Sequence, residues 1–421
     1  MLIISAGQWN SGLTMVSILG SFSEMLNTAL LLAVILAAIS IGIALLLMYL
    51  LARRAWQHIR IRRFDALSIK IHGQWRAIVR GEIPVEEWRN NSLQCEILQS
   101  IVIQEIGAAT DKDRAGLQEF LRASGLLDRC IKRAQDGHGW SRRRAMLALG
   151  GMRVPEAIAP LTEALDDWQL ESRMTAVQAL GRSGLVAAAE PIIESHMLST
   201  LKVPADPVTN ALVRCFLDQP EALLPYLRRS LGETRDLLAR VASEIATQRM
   251  AEEMVQLAED PSPEVRACAA KALAVAPLPV AIPALAKLVH DNLWFVRLRA
   301  VSALNQIPHP RVIPSLLEAV RDPSHLVRLR AAAALAKFEH ETVEILHSIV
   351  DSRDRYALSA MISALELGGG FDKVMARLAD PLLRDETAAG LLAALRRGSA
   401  SLWTTPTAEP AVEPVFRFAH E

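Results

Sequence analysis

The chain has 421 residues, 51% of them hydrophobic but only 5% aromatic, with 46 basic side chains balanced by 46 acidic ones. Alanine and leucine dominate, which favours helices and argues against a β-sandwich or barrel. The zero net charge excludes a broadly basic nucleic-acid binder, and Cys95, Cys130, Cys215 and Cys268 stand singly, with no CxxC pair to suggest a zinc site or a disulfide framework.

The first predicted element is a membrane span. Residues 1–24 form a short leading segment, and no charged side chain occurs from Met25 to Ala52. As a helix these residues would run about 42 Å, enough to cross a hydrocarbon core of about 30 Å. A core helix is seldom apolar on every face for so long, and a signal peptide would carry a basic leader and a shorter apolar stretch. Arg53, Arg54, Arg60, Arg62 and Arg63 follow directly, whereas the first 52 residues contain no Lys or Arg. Positive charge is retained on the cytoplasmic side, so the expected topology is single-pass at the inner (plasma) membrane, N-terminus outside and the long remainder cytoplasmic. Trp56 and Tyr49 fall where an interfacial aromatic belt would lie.

Residues 53–81 keep a helical period, with Trp56, Ile59, Phe64, Leu67, Ile71, Trp75 and Ile78 interleaved among Arg and Lys. Such a basic amphipathic helix either rests on anionic membrane lipid or packs on the following domain while its arginines enforce topology. Residues 82–135 read as a helical N-terminal cap.

Residues 136–398 carry a repeat. The segments DPSPEVRACAAKAL (260–273), DNLWFVRLRAVSAL (291–304) and DPSHLVRLRAAAAL (322–335) align without gaps at a period of 31. Asp260, Asp291 and Asp322 recur in step with Arg266, Arg297 and Arg328. The register extends back through Asp167 and Arg173 to Asp136 and Arg142, degenerates near residue 204, and continues at intervals of 30 to Leu365 and Leu395, for about nine units. Pro160, Pro283 and Pro314 mark the preceding helix. Each unit is therefore a proline-bearing helix, a turn whose aspartate suits an N-cap, and a second helix with alanines (Ala269, Ala300, Ala331) for close approach. No such unit buries its apolar face alone, so the units must stack.

These features resemble the short HEAT repeats common in prokaryotes and in phycobilin-lyase-like proteins. The resemblance implies an all-α solenoid of about nine helical hairpins, with Asp and Arg forming a hydrogen-bond ladder between adjacent units. Residues 198–206 and those after 350 depart from the pattern.

Motifs for catalysis are absent: there is no Walker loop, dinucleotide fingerprint, HExxH or GxSxG, and neither a catalytic residue nor a cofactor is expected. Iron hydroxylases built of HEAT-like repeats hold metal with several His-Glu pairs; here His340-Glu341 is the only one within the repeats, so no metal site is expected. The ladder arginines are read as structural. Arg299 and Arg330, two residues further on, lack such a role and project from the helices that usually line the concave surface of a solenoid. With Trp294 and Phe295 in the turn beside them, they form the candidate protein-binding site. The competing reading is that Trp294, like Trp140 and Trp168, merely covers a helix junction. The tail, 399–421, is expected to be disordered, with Trp403 or residues 415–418 as a docking peptide or simply as linker. The expected function is a membrane-anchored scaffold that holds a protein partner, such as a membrane-associated complex, at the membrane. A bilin lyase or isomerase, or a lipid-surface sensor, is the alternative.

Overall fold

The computed structural model describes residues 36–37, 39–59, 62, 64–71, 73, 77, 92–198, 201–379 and 386–402. The chain divides into two compact units, Met1–Ile101 and Val102–Glu421. In the first, one helix among the described residues, Ile39–Ile71, is long and apolar enough to cross a membrane, and none of its apolar window is buried. It runs on through Arg53, Arg54 and Trp56, all exposed, and includes exposed Arg62. The expected boundary between a span and a separate basic helix at residue 52 is not a break in the backbone. RRAWQHI contains no proline or glycine to stop a helix. Arg60, Arg63 and Trp75, with residues 1–35 and 78–91, lie outside the described residues, as does the tail from residue 403.

The second unit is helical throughout its described residues, which hold nine helical hairpins after Asp111–Ala123. Unit 1 pairs Leu126–Asp136 with Gly139–Met152, unit 2 pairs Ile158–Glu163 with Leu170–Ser183, and unit 3 pairs Ala189–Met197 with Ala205–Phe216. Leu224–Arg229 with Gly232–Ile245 makes unit 4, Ala251–Leu257 with Pro263–Leu273 unit 5, and Leu278–Leu288 with Trp294–Leu304 unit 6. Units 7, 8 and 9 are Ile313–Ala319 with His325–Leu335, Thr342–Asp351 with Arg355–Leu367, and Phe371–Ala379 with Glu386–Leu402. The array thus begins with Leu126–Asp136, within the stretch expected to be a cap, because a unit includes the helix before its turn aspartate.

Each second helix packs on the second helices before and after it, more closely than the first helices pack on one another. Small side chains permit this. Ala269, Ala300 and Ala331 are buried at these contacts. At Gly150 a Cβ would collide with the Ala179 carbonyl, and at Gly181 with the Ala211 backbone. The first helices are looser, and units 2 and 7 enter theirs through 3-10 turns, Pro155–Ala157 and Pro310–Val312, just before Pro160 and Pro314. Pro283 instead sits inside its helix.

The aspartates organise the turns, though not as N-caps. Helices start at Pro263, Trp294 and His325, with Ser262, Leu293 and Ser324 in the capping position. Each aspartate lies two residues earlier and closes an Asx turn. Asp260 Oδ1 accepts from the Ser262 N–H (2.9 Å), Asp291 Oδ1 from Leu293 (2.9 Å) and Asp322 Oδ1 from Ser324 (2.7 Å). The second carboxylate oxygen takes an arginine of the preceding unit. Arg235 Nε donates to Asp260 (2.7 Å), Arg266 to Asp291 (2.6 Å) and Arg297 to Asp322 (2.5 Å), and Arg142 pairs with Asp167.

Each guanidinium also reaches back within its own unit, to a backbone oxygen. Arg266 donates to the Asp260 carbonyl (2.9 Å), Arg297 to that of Asp291 (2.8 Å) and Arg328 to that of Asp322 (2.9 Å). So the Asp and Arg of one unit meet through the main chain, and the carboxylate partner stands 25 residues on. Burial opposes ionisation of Asp291, but the Arg266 guanidinium and the Leu293 N–H outweigh it and hold the carboxyl below its usual range. Asp167 is depressed likewise: the Gln169 N–H and Arg142 overcome burial.

The ladder is interrupted where the sequence departs from its pattern. Leu198 and Arg229 stand at aspartate positions and Pro204 at an arginine position. Arg173 donates instead to the carbonyls of Leu201 (2.9 Å) and Lys202 (3.3 Å), and Lys202 adopts φ +43° to present its oxygen. At the far end Arg328 lies over the Tyr356 ring (5.3 Å), and Asp354 is a true N-cap, accepting from the Tyr356 N–H (2.9 Å) and the Ala357 N–H (3.2 Å).

Candidate functional site

Arg299 and Arg330 occupy the same position on adjacent second helices, and both are exposed. Arg299 makes no hydrogen bond or ion pair among the described residues. Arg330 does have a partner: its Nε donates to Ser302 Oγ of the preceding helix at 3.2 Å. Cys268 holds the equivalent position in unit 5. Its half-buried thiol is pushed up to about 11, first by burial and then by Glu264, while Arg240, Arg299 and Lys271 pull the other way. Arg240 and Lys271 hold one equivalent position on their second helices, three residues past that of Cys268, Arg299 and Arg330, where unit 6 has Ser302. Lys271 is tied to Glu244 (2.6 Å).

Trp294 and Phe295 belong to the first turn of their helix rather than to the preceding loop. Their rings meet edge-to-face with centroids 6.2 Å apart. Phe295 lies four residues before Arg299 and shares its stripe, whereas Trp294 is about 100° round the helix, toward the turn. The four candidate residues thus form two groups, with Phe295, Arg299 and Arg330 on the face and Trp294 on the edge. In unit 7 the position four before Arg330 is Leu326, 50% exposed, and Leu329 lies beside it. Those leucines extend the apolar part of the face and went unremarked in the sequence. The spacing of four residues before each arginine is the signal that finds Leu326, whereas Leu329, next to Arg330, is reached only as a neighbour of Leu326 one turn on.

Trp140 is 67% exposed and Trp168 85%, so neither covers a helix junction. Arg144 stacks over Trp140 at 5.2 Å. Among the histidines, His290 reaches Glu318 (2.9 Å) and His347 reaches Asp351 (2.9 Å). No group of three His, Cys, Asp or Glu among the described residues could hold a metal ion. A cavity of about 190 Å³ beside Leu365, Lys373 and Arg377 contains none of the candidate residues.

The match to a family model agrees with this architecture. The family model described as HEAT repeats matches residues 127–200, 220–305 and 293–366, more than half of the chain. No curated protein matches. Among solved structures, an engineered protein aligns over 75% of this chain and 97% of its own at 17% identity and TM-score 0.33. Human deoxyhypusine hydroxylase aligns over 67% and 98% at 20% identity and TM-score 0.26. Kap121p bound to Pho4p aligns over 73% and 43% at 14% identity and TM-score 0.41. All three scores are low, and none bears on function. The gap in the family match between residues 200 and 220 includes Pro204, where the ladder arginine is missing, and with more than half of its length matched the chain belongs to the HEAT-repeat family.

Proposed function

We propose that this chain is a non-enzymatic, membrane-anchored scaffold whose later repeats hold a protein partner at the membrane. The observation that carries the reading is the pair of exposed guanidinium groups in register on adjacent second helices, flanked by Phe295, Leu326 and Leu329. Neighbouring helices sit roughly 10 Å apart, so two carboxylates of an acidic segment can each be held bidentately while an apolar residue between them is covered. A repeat array supplies an extended surface of this kind more readily than a deep pocket. The helix Ile39–Ile71 supports the anchor by length and composition, and the arginines that follow Ala52 support an N-terminus outside with the repeats cytoplasmic. Anchoring would raise the local concentration of the array near a membrane complex.

The test is the full chain carrying Arg299→Glu and Arg330→Glu, purified in mild detergent beside the wild type. The expected outcome is loss of the specific co-purifying proteins, with unchanged membrane insertion and unchanged unfolding. Recovery of the same proteins at the same salt overturns the site. Topology is tested separately, by an impermeant thiol reagent on cysteines introduced near Asn10 and near Arg122. Labelling near Arg122 alone reverses the orientation.

A further inference from the structure

We propose that the edge of the stack formed by the inter-helix turns docks on the headgroup layer of a lipid bilayer. The two helices of every unit meet at this edge. Trp140, Trp168, Leu198, Leu231, Trp294 and Tyr356 are exposed there, in units 1, 2, 3, 4, 6 and 8. Among the described residues of the stack, every exposed Trp or Tyr lies on this edge. On the opposite edge, where one unit passes to the next, the exposed large apolar side chains are aliphatic, such as Leu217, Val275 and Leu367.

The spacing decides between a protein partner and a lipid surface. Units repeat at roughly 10 Å, so these side chains are separate points rather than one contiguous apolar patch of the kind that marks a protein interface. A folded partner would have to match every point at a fixed distance. A fluid headgroup layer accepts an anchor wherever it falls, and Trp and Tyr are the side chains whose amphipathic rings settle there. Arginines accompany the rings: Arg144 stacks over Trp140 (5.2 Å), and Arg355 (4.7 Å) and Arg328 (5.3 Å) over Tyr356. Arg328 spends Nη1 on the carbonyls of Asp322 and Pro323, and Arg355 gives Nη2 to the Tyr356 hydroxyl (2.8 Å), so it is the remaining in-plane donors of exposed Arg355 that can take a phosphate oxygen beside the ring. The proposal rests on the membrane reading of the chain and adds a second, weaker attachment to it.

The experiment uses the full chain in nanodiscs of 3:1 phosphatidylcholine to phosphatidylglycerol, made with and without bromine on the acyl chains near the headgroup. The wild type is compared with a variant carrying Trp140→Ala, Trp168→Ala and Trp294→Ala, and an unchanged thermal melt confirms that the variant folds. The ratio of tryptophan emission in brominated to unbrominated discs gives the answer by its sign. If the three rings lie in the bilayer, they are among the most quenched, and their removal raises the ratio. If they lie in water, their removal lowers it, which overturns the proposal. A lowered ratio together with loss of a co-purifying protein from the variant assigns the edge to a protein partner instead, and also overturns it. Alkaline carbonate extraction of native membranes reports on the anchor independently. Release of the chain by carbonate overturns the anchor reading, whereas a chain that resists carbonate and shows a lowered ratio overturns edge docking alone.

Discussion

Units 5 to 7 and unit 3 adopt the same hairpin by different means. In the later block a charged ladder does the joining: Arg235, Arg266 and Arg297 each hold the carboxylate of the next unit while Asp260, Asp291 and Asp322 each close their own turn. Unit 3 has neither residue. Its contact to unit 2 depends on the backbone oxygens of Leu201 and Lys202 and on the bare Cα of Gly181, which lets the Ala211 backbone come close. A repeat fold therefore needs donors met and helices in contact, and side-chain carboxylates are one way of meeting the first need.

Acid is the broadest way to break that comparison, because it reaches the ladder wherever a carboxylate is depressed. Asp291 and Asp167 have folded-state pKa values below their unfolded ones, so their contribution is complete above the unfolded value of about 3.9 and is lost as pH falls through the folded value. Hydrogen exchange below about pH 4 should show protection falling around Asp291 and Asp167 while Ala205–Phe216, with no ladder carboxylate, holds longer. Equal losses in both regions would mean that the ladder charges do not stabilise the array.

Among single changes, Asp322→Ala is expected to cost the most, about 3 kcal/mol, because it leaves Nε and Nη2 of Arg297 and the Ser324 N–H without their acceptors at a largely buried site, Nη1 alone keeping its backbone oxygens. Urea unfolding of the chain in mild detergent measures it. Gly181→Ala should cost about 1–3 kcal/mol, since the added methyl must displace the Ala211 backbone. A neutral result would show that units 2 and 3 can separate freely. Arg173→Ala removes donors to carbonyls that face partly to solvent, and about 1 kcal/mol is expected. Arg299→Ala, on the exposed face, should stay under about 0.5 kcal/mol. A cost for Arg299→Ala equal to that of Asp322→Ala would reverse the assignment of ladder and face.

Much of this was legible before the structure, and the omissions share a cause. The period of 31 is carried by residue types with distinctive chemistry, so the hairpins, the interruption near Pro204 and the arginines of the face all read directly. A period fixes which positions are equivalent but not which equivalent position a side chain touches. Arg297 could thus be paired with Asp291, whose backbone oxygen it takes, before Asp322, whose carboxylate it holds. Acceptors made of backbone leave no trace in the sequence at all, as with Arg173. Trp294 and Phe295 show a finer limit, since adjacent letters on a helix belong to different faces. The glycines at 150 and 181 mark close contacts that only the neighbouring helix reveals.

The double role of each ladder aspartate, closing its own turn while holding the arginine of the unit before, bears on how such an array can lengthen. A 31-residue segment cut from the regular block carries an acceptor for the unit before it and a donor for the unit after it, so a duplicated copy inserts with both mating ends already complementary. Growth or loss of whole units is therefore an in-frame operation between Arg235 and Asp322, with no compensating change required in the flanking repeats. Around unit 3 the same event would strand a guanidinium or a carbonyl, which makes that segment the fixed point about which the rest of the array can vary in length.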